Sequence, residues 1–535
     1  MNGGHGESAG GGKIALGLVV RAATSALVHS SLKAGLVLSA AGAVIAISVV
    51  VFSTKPVIAV PLFGAALLAA ALVLAGNPRL FCLWGLLLTV PLDISKAFMV
   101  VPHIGGSPAF RLELCDPFIL TMLAFQIRDR FRGTRGRLRL PGVAYWWIGL
   151  MLMGVGAIIV GPFRLPAAHE TFRMFKAFLL LLILVNELVR VRHFQHFSMA
   201  LMIGVLAQAV IGIVQYALKI QFGLPQLGEP PSQTIRDLAK GTIEEGIFRV
   251  GALQVHPNLL AAYLGMLLPI ALAVLLTRLR LGHKAFYTLV LMLGGVVLVF
   301  TFSRAGWITN SLAFIGVFAL ITAHPRLRTR YLLARLFIIV GVVFLVTIFS
   351  GRIMQRITRS DPGAWNFRVE WMNVAMRSIE EKPLLGTGLN SFVFATPQFS
   401  KYGDATEMWR RLGTWPVVHN IYMLVCAEQG IIGLALFLAM HIHLIVIGLR
   451  NLRVRDELLF AVNAGCLCGL LSVMVDGLAS FTIRMDAQGR IYWTIIAGIL
   501  AVDYWYRANR RPRYSNAIEE ISGRTPFVLG GVIHP

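Results

Sequence analysis

Four side chains in the sequence could act together on an anionic substrate. Three are arginines, Arg249, Arg304 and Arg368, and the fourth is His419. A guanidinium group can bind two phosphate oxygens at once, and a neutral imidazole can accept the proton of a hydroxyl group near neutral pH. His419 precedes a long apolar segment, where the positive end of a helix dipole favours the neutral ring. This combination predicts a phosphate-bearing substrate and chemistry at a hydroxyl group.

Three further polar residues are supporting candidates. Asn420 follows the histidine at the start of the same segment, and Asp476 interrupts the apolar run 470–479, where a lone carboxylate needs a partner or a function. Arg377 follows Arg368 by nine residues on a predicted helix, which places the two about 180° apart, so they cannot both face one site. Each candidate also has a purely structural interpretation, as an interfacial anchor, a solvated side chain or a helix cap.

The elements that must position these residues are membrane helices. Hydrophobic residues make up 57% of the 535 and charged residues only 14%, whereas about a quarter of a typical soluble domain is charged. The sequence predicts an all-α polytopic membrane protein with about 12–14 transmembrane helices and a large, partly helical outer loop. The candidate spans are 34–53, 56–76, 79–92, 115–127, 142–161, 171–187, 197–220, 257–277, 286–303, 305–323, 336–350, 420–448, 458–481 and 490–506.

The distribution of basic residues predicts the orientation. The net charge is +24, and its main clusters lie at residues 128–139, 190–192, 278–284, 326–335, 450–455 and 507–513. Threading the spans puts all these clusters on one side, which the positive-inside rule assigns to the cytoplasm, and it argues against a nucleic-acid partner. The predicted organisation is a cytoplasmic tail with an interfacial helix at 1–33, a transmembrane domain at 34–505 and a second cytoplasmic tail at 506–535.

Two long outer loops, about 221–256 and 351–419, lie opposite the basic clusters. Residues 367–379 of the second loop have the apolar spacing of an amphipathic helix, which Pro383 and Gly386 should end. This helix predicts a folded cap over the outer mouth of the bundle.

Other kinds of site have little support in the sequence. No Gly-rich phosphate loop and no His/Cys ligand cluster is present, so we expect neither nucleotide hydrolysis nor a metal. Cys466 and Cys468 are two residues apart and point in different directions on a helix. We expect them, like the other three cysteines, to be small buried residues without disulfides.

Several short motifs resemble the O-antigen ligase and polymerase family of bacterial envelope glycan assembly. The resemblance covers residues from about 249 to 435, and the N-terminal third matches only as a hydropathy pattern. The motifs are Gly251 with His256-Pro257-Asn258, Thr301-Phe-Ser-Arg304-Ala-Gly306, Arg368-Val-Glu-Trp371, Pro383-Leu-Leu-Gly386-Thr-Gly388-Leu-Asn390-Ser-Phe392, His419-Asn420-Ile-Tyr422 and Glu428-Gln-Gly430-Ile-Ile-Gly433.

The resemblance implies a metal-independent membrane glycosyltransferase without a cofactor. Its donor would be an undecaprenyl-diphosphate-linked oligosaccharide, and its location the periplasmic face of the bacterial inner membrane, with both termini cytoplasmic. Arg304 and Arg368 would bind the diphosphate, and Arg249 is a third candidate for that role. His419 would be the base. Met423 departs from the leucine often found there, and the acidic residue near the C-terminal helices would be Asp476.

The acceptor is less closely defined. It would be lipid A–core in a ligase and a second lipid-linked repeat in a polymerase. The resemblance also implies contact with membrane lipids and, for a polymerase, a chain-length regulator protein as a partner. Arg249 followed by Gly265, and Arg377 followed by Gly388, resemble spacings of polymerase loops and favour polymerisation slightly.

Two other classes of protein remain as alternatives. A lipid-linked glycan flippase or another polysaccharide transporter would need polar residues along a central path. A membrane scaffold would need no arginine–histidine group. The concentration of charged candidates at the outer mouth favours chemistry over both.

The topology can be tested by labelling single cysteines in intact cells with a membrane-impermeant thiol reagent. An Asp404→Cys variant should be labelled because residue 404 lies in the second outer loop, and an Arg135→Cys variant should be protected until the membrane is opened. The reverse pattern would place the candidate residues in the wrong compartment and would overturn the functional interpretation.

Overall fold

The computed structural model describes residues 76–222, 243–244, 247–324, 351, 362–399 and 416–510. The predicted spans 34–53 and 336–350, nearly all of 56–76, the tail 1–33 and residues 511–535 lie outside these ranges, as does most of the first outer loop.

The described chain is mostly helical. In order, the elements are α1 (Pro78–Thr89), β1 (Ser95–Phe98), β2 (Phe110–Glu113), α2 (Asp116–Phe131), α3 (Val143–Val160), α4 (Arg164–Glu187), α5 (Val191–Leu218), β3 (Ile243–Glu244), β4 (Ile247–Phe248), α6 (Pro257–Leu275), α7 (Leu281–Phe300), α8 (Arg304–Ala323), α9 (Pro362–Glu381), α10 (Phe392–Phe399), α11 (Ile421–Asn451), α12 (Glu457–Asp476) and α13 (Asp486–Arg510).

Seven helices of the described part are long and apolar enough to cross a membrane: α3, α5, α6, α7, α8, α11 and α12. They confirm the predicted all-α polytopic fold. The strands form two small antiparallel hairpins, β1–β2 and β3–β4. The predicted cap helix is present as α9, and it extends beyond 367–379 at both ends. The five cysteines are free and buried, as expected.

The chain divides into two compact units. Of the described residues, the first contains 76–85 and Leu120–Phe125, and the second contains all the others. The helices from α3 onward, both hairpins and all the candidate residues belong to the second unit.

Glycines set the closest helix packing of the second unit. A Cβ added at Gly465 or Gly469 of α12 would lie 2.4 Å from Ile270 or 2.3 Å from Met266 of α6, in both cases against backbone. Small residues four apart allow membrane helices to approach this closely. Because the later residue of α12 faces the earlier residue of α6, the two helices run antiparallel.

The helix α8 runs parallel to α6. A Cβ at Gly306 would lie 2.4 Å from Ala261, and one at Gly265 would lie 3.0 Å from the amide nitrogen of Asn310. The same amide donates to the Ala261 carbonyl at 3.2 Å. The first residues of α6 and α8 therefore lie at the same end of the bundle, together with the last residues of α12.

The start of α11 lies at this end too. The Ile421 N–H donates to the Gly477 carbonyl just beyond α12 at 2.9 Å, and the Tyr422 hydroxyl donates to the Met474 carbonyl at 2.8 Å. We call this end, where the N-termini of α6, α8 and α11 meet the C-terminus of α12, the His419 end.

The described basic loops meet at the opposite end. There Arg130 donates to Asn186 at 3.0 Å, the Arg139 guanidinium lies 5.4 Å from the Tyr504 ring, and Arg450 pairs with Asp503 at 2.5 Å. This separation agrees with the threading of the charge clusters along the sequence.

A break in α11 holds the segment 383–391 against it. Gly430 has φ 65°, outside the helical range. The Ile431 N–H donates to the Pro383 carbonyl at 2.8 Å instead of the helical partner, the Ala427 carbonyl. The segment supplies the missing donors, since Thr387 N–H bonds to Ala427 at 3.0 Å and Gly388 N–H to Glu428 at 2.8 Å. Three backbone groups at the break, the Ile431 N–H and the carbonyls of Ala427 and Glu428, are thus paired with the inserted segment.

Gly430 should be intolerant of a side chain. A Cβ there would lie 2.1 Å from the Leu384 carbonyl oxygen, and the positive φ disfavours any L-residue. Gly430→Ala should lower the free energy of unfolding by about 2–4 kcal/mol, measured by thermal denaturation in detergent.

Gly156→Ala is the matched control, because nothing lies within 4 Å of a Cβ at that position in α3. It should leave stability unchanged or slightly raised, since alanine favours a helix over glycine. Equal stability of the two variants would contradict the importance of the break.

Candidate functional site

The His419 ring is oriented by one hydrogen bond and two aromatic contacts. Its Nδ1 lies 3.1 Å from the Val417 carbonyl, which can only accept a proton, so the neutral ring carries its hydrogen on Nδ1. The ring centroid lies 6.2 Å from that of Phe367 in α9 and 5.2 Å from that of Phe481 after α12, both edge to face. The Nε2 lone pair therefore remains available to take a proton.

The surroundings of His419 favour its neutral form. Burial, and then the charge of Arg368, lower its pKa from the usual value to about 4, although the bond to Val417 opposes the shift. At neutral pH the ring is uncharged, as expected from its place before a helix. A bound anion would offset the charge of Arg368 and raise the pKa.

The helix cap at this position is Asn420. Its side-chain oxygen accepts from the N–H groups of Tyr422 and Met423, both at 3.0 Å, and its amide donates to the Leu478 carbonyl at 3.1 Å. These bonds are those of an N-cap residue. Because Asn420 performs the capping, the histidine is not needed for it.

Arg368 lies on the face of α9 that is directed toward the bundle. Trp371 and Ala375, on the same face, are buried, and the helix packs on α11. The charge of Arg368 acts on both His419 and Asp476. Within the described ranges its guanidinium, which is half-buried, forms no hydrogen bond.

Arg377 is directed elsewhere. Its Nε donates to the Asn373 carbonyl one turn earlier in α9, at 3.2 Å. The structure brings Arg368 to His419 and does not bring Arg377 there, in agreement with their predicted separation around the helix.

Asp476 is the last residue of α12. The predicted span 458–481 therefore extends beyond the helix at this end. The Asp476 carboxylate accepts hydrogen bonds from the hydroxyl groups of Ser480 and Thr482, the latter at 2.7 Å. These hydroxyls belong to the turn that follows. Asp476 is thus partnered at the end of a helix, and it does not interrupt one.

Arg249 and Arg304 lie at one corner of the His419 end. Arg249 is buried, and it donates from Nε to the Thr301 carbonyl at 3.0 Å and from Nη2 to Asn258 at 2.8 Å. Arg304 is the first residue of α8, after the N-cap Ser303, whose hydroxyl accepts from the Gly306 N–H at 3.2 Å. Arg249 thus joins the segment before α8 to the start of α6.

His256 is a member of the site that the candidate residues did not include. It caps α6, where its Nδ1 accepts from the Asn258 N–H at 3.1 Å. Burial, and after it the charges of Arg249 and His419, lower the pKa of His256 to about 4. The signal in the sequence was the His-Pro-Asn motif, since proline commonly occupies the first turn of a helix.

The helix dipoles reinforce these charges. Three helices, α6, α8 and α11, begin at the His419 end, and each N-terminus carries about half a positive charge. Together with the arginines they favour binding of an anion there.

A buried ion network beside the site was not expected from the sequence. Arg484 pairs with Glu428 at 2.6 Å and with Glu170 at 3.2 Å, and its Nε donates to the Gly105 carbonyl at 3.0 Å. Its partners come from α11, α4 and the β1–β2 loop. Lone acidic residues within apolar helices were the available signal, but they do not reveal which cation pairs with them.

One group of side chains in the described part has the spacing of metal ligands. The ligand atoms of Glu113, Cys115 and Asp116 lie within 4.8 Å of one another. The two carboxylates already pair with Lys176, at 2.5 and 2.9 Å, and Glu113 also pairs with Arg490. Both carboxylates are thus already neutralised by cationic side chains.

The fold defines a polytopic membrane protein with arginines and three helix N-termini gathered at one end. Residues 287–438 match a family model described as O-antigen ligase. This stretch contains Arg304, Arg368 and His419, whereas Arg249 precedes it. The match supports an O-antigen ligase family assignment and a cell-envelope glycan ligase or polymerase type of function. No curated protein matches the sequence.

The effect of Arg368 on His419 can be measured. Arg368→Gln removes a nearby positive charge and should raise the pKa of His419 from about 4 toward the usual value of about 6.5. Diethyl pyrocarbonate modifies the neutral ring, and peptide mass spectrometry follows the reaction as pH varies. At a pH between these two values, His419 of the variant should be more protonated and react more slowly than in the wild type.

The control is Arg377→Gln, which removes the same charge from the same helix on its other side. The pH dependence of His419 modification should then match that of the wild type. A wild-type response in both variants would show that Arg368 does not act on the ring.

Proposed function

We propose that the chain transfers a glycan from an undecaprenyl-diphosphate-linked donor to a sugar hydroxyl at the periplasmic face of the inner membrane. The observation that carries this proposal is the joint placement of His419, Arg368, Arg249 and Arg304 at the end where three helix N-termini meet. An anion site next to a neutral imidazole suits a reaction with a phosphate leaving group and a hydroxyl nucleophile.

In the proposed reaction, the acceptor oxygen attacks the anomeric carbon of the donor. The bond between that carbon and the diphosphate oxygen breaks, and its electron pair leaves with the diphosphate. His419 takes the hydroxyl proton on Nε2, while Nδ1 stays bonded to the Val417 carbonyl. The resulting imidazolium is stabilised by the anion beside it, because the diphosphate offsets the charge of Arg368.

The arginines act mainly on the leaving group. Negative charge grows on the diphosphate as the glycosyl bond breaks, and guanidinium groups stabilise it through charge-assisted hydrogen bonds. Arg368 is the candidate best placed for this role, because it lacks a hydrogen-bonded partner within the described residues. Arg249 is engaged by Thr301 and Asn258, so it holds the corner of the site together as well as adding charge.

The packing of the bundle favours an enzyme over a flippase. The spans α6 and α12 are the two most buried of the seven, and they touch backbone to backbone through Gly465 and Gly469. This contact leaves no room for a glycan between them. Gly265 packs against Ser472 and Asn310, so a small residue at that position also has a structural cause.

The proposed base predicts the effect of His419→Gln. Glutamine keeps a hydrogen-bonding side chain but cannot take a proton, so turnover should fall by about 10²–10⁴. The assay measures release of undecaprenyl diphosphate by purified protein in proteoliposomes with a lipid-diphosphate-linked glycan and an acceptor. Donor binding should persist in the variant.

His193→Gln is the matched control, since the Nδ1 of that histidine also bonds a backbone carbonyl, that of Glu187, at 2.7 Å, but at the opposite end. It should keep wild-type turnover.

Excess chelator should leave the wild-type rate unchanged if the reaction needs no metal. Wild-type turnover by His419→Gln would refute the assignment of His419 as the base. Loss of activity in excess chelator would refute the metal-free mechanism.

A further inference from the structure

A cavity of about 130 Å³ lies next to Arg484, where several polar side chains interrupt a mostly apolar lining. Its walls come from the β1–β2 loop, the segment before α6 and the start of α13. They include Arg111, Asp93 and Asp486, the amides of Gln254 and Gln488, and the ring of His103. None of these groups takes part in the transfer reaction proposed above.

The charged groups of the cavity wall already pair with one another. Arg111 binds Asp486 at 2.8 Å and Asp93 at 3.2 Å. Arg484, which also lines the cavity, is paired with Glu428 and Glu170. An anionic ligand would have to displace these carboxylates. The cavity therefore suits a ligand without charge.

The remaining polar groups suit hydroxyl groups. The Gln488 amide donates to the Gln254 side-chain oxygen at 2.8 Å, and the Gln254 amide donates to the Pro91 carbonyl at 3.0 Å. The Gln488 oxygen remains as an acceptor, and the paired carboxylates keep further lone pairs. These fixed acceptors suit a ligand that donates hydrogen bonds, as each sugar hydroxyl does.

The size of the cavity limits its occupant to about one ring. A protein cavity of roughly 150 Å³ holds a benzene molecule, and a pyranose with its hydroxyl groups is larger than benzene, so 130 Å³ admits part of one sugar ring and excludes an oligosaccharide. A pyranose ring whose remaining substituents lie outside the cavity meets both the size and the chemistry.

Two segments of the chain connect the cavity wall to the His419 site. Val255 lines the cavity and directly precedes His256, the cap of α6. Arg484 lines the cavity and ends the turn that begins after Phe481, whose ring packs against His419. On both segments only a few residues separate the cavity wall from groups at the His419 site.

We propose that this cavity is the acceptor subsite, in which a single neutral pyranose ring is held before glycan transfer. This inference rests on the proposed transferase function. It assigns donor and acceptor to separate regions, with the diphosphate at the arginines and the acceptor ring among paired charges and amides.

The test measures the KM for the acceptor in two variants of different kinds. Gln488→Leu replaces an amide side chain by an apolar one of similar volume. Ala487→Leu adds volume to the wall of the cavity. Each should raise the acceptor KM about tenfold or more, because a lost hydrogen bond or a filled subsite weakens binding by that order. A free methyl hexopyranoside, added as a probe, should compete with the acceptor in the wild type and less effectively in the variants. Both variants should still bind the lipid-linked donor.

The matched control is Gln126→Leu. Gln126 is equally buried, and its amide bonds the Ile183 carbonyl at 2.9 Å, but it lies toward the opposite end of the bundle. Its acceptor KM should not change, and thermal unfolding separates loss of folding from loss of binding in all three variants. Unchanged acceptor KM in both cavity variants would mean that the cavity holds only water. That result would refute the acceptor subsite and leave the transferase proposal intact. Absence of any transfer by the wild type would refute the transferase itself.

Discussion

The break in α11 is the constraint on which the rest of the structure depends. Buried backbone groups must be paired, and a helix interrupted at Gly430 frees several at once. The segment 383–391 pairs with three of them, through the N–H groups of Thr387 and Gly388 and the carbonyl of Pro383. Because this segment connects α9 to α10, the insertion also fixes where α9 ends, and with it the position of Arg368 over His419.

The charges fall into two groups with different consequences. Arg484, Arg111 and Lys176 have carboxylate partners from other elements, so removing one partner would leave a buried charge unpaired. These ion pairs join α4, α11, α13 and the first hairpin into one frame. Arg368 has no such partner within the described part, and its charge remains available to a ligand. The same frame that neutralises most charges therefore leaves the proposed anion site positive.

The basicity of His419, the proposed base, is controlled by its surroundings more than by its own chemistry. Burial and Arg368 hold the pKa of His419 well below its usual value, so the free site contains a neutral but weak base. An anionic donor would offset the arginine and bring the pKa closer to neutral. Basicity would then rise only when the donor is bound, which couples the proposed proton transfer to the presence of a leaving group.

The sequence by itself determined the membrane class, most helix positions, the gathering of basic loops at one end and the candidates Arg249, Arg304, Arg368 and His419. These follow from local quantities: runs of apolar residues, charge between them and short motifs. Only the tertiary structure decided that Asn420 is the cap, that Asp476 ends its helix on two hydroxyls, and that Arg484 joins acids from separate elements. Those outcomes depend on contacts between residues far apart in the chain, and hydropathy and spacing carry no information about which distant groups will meet.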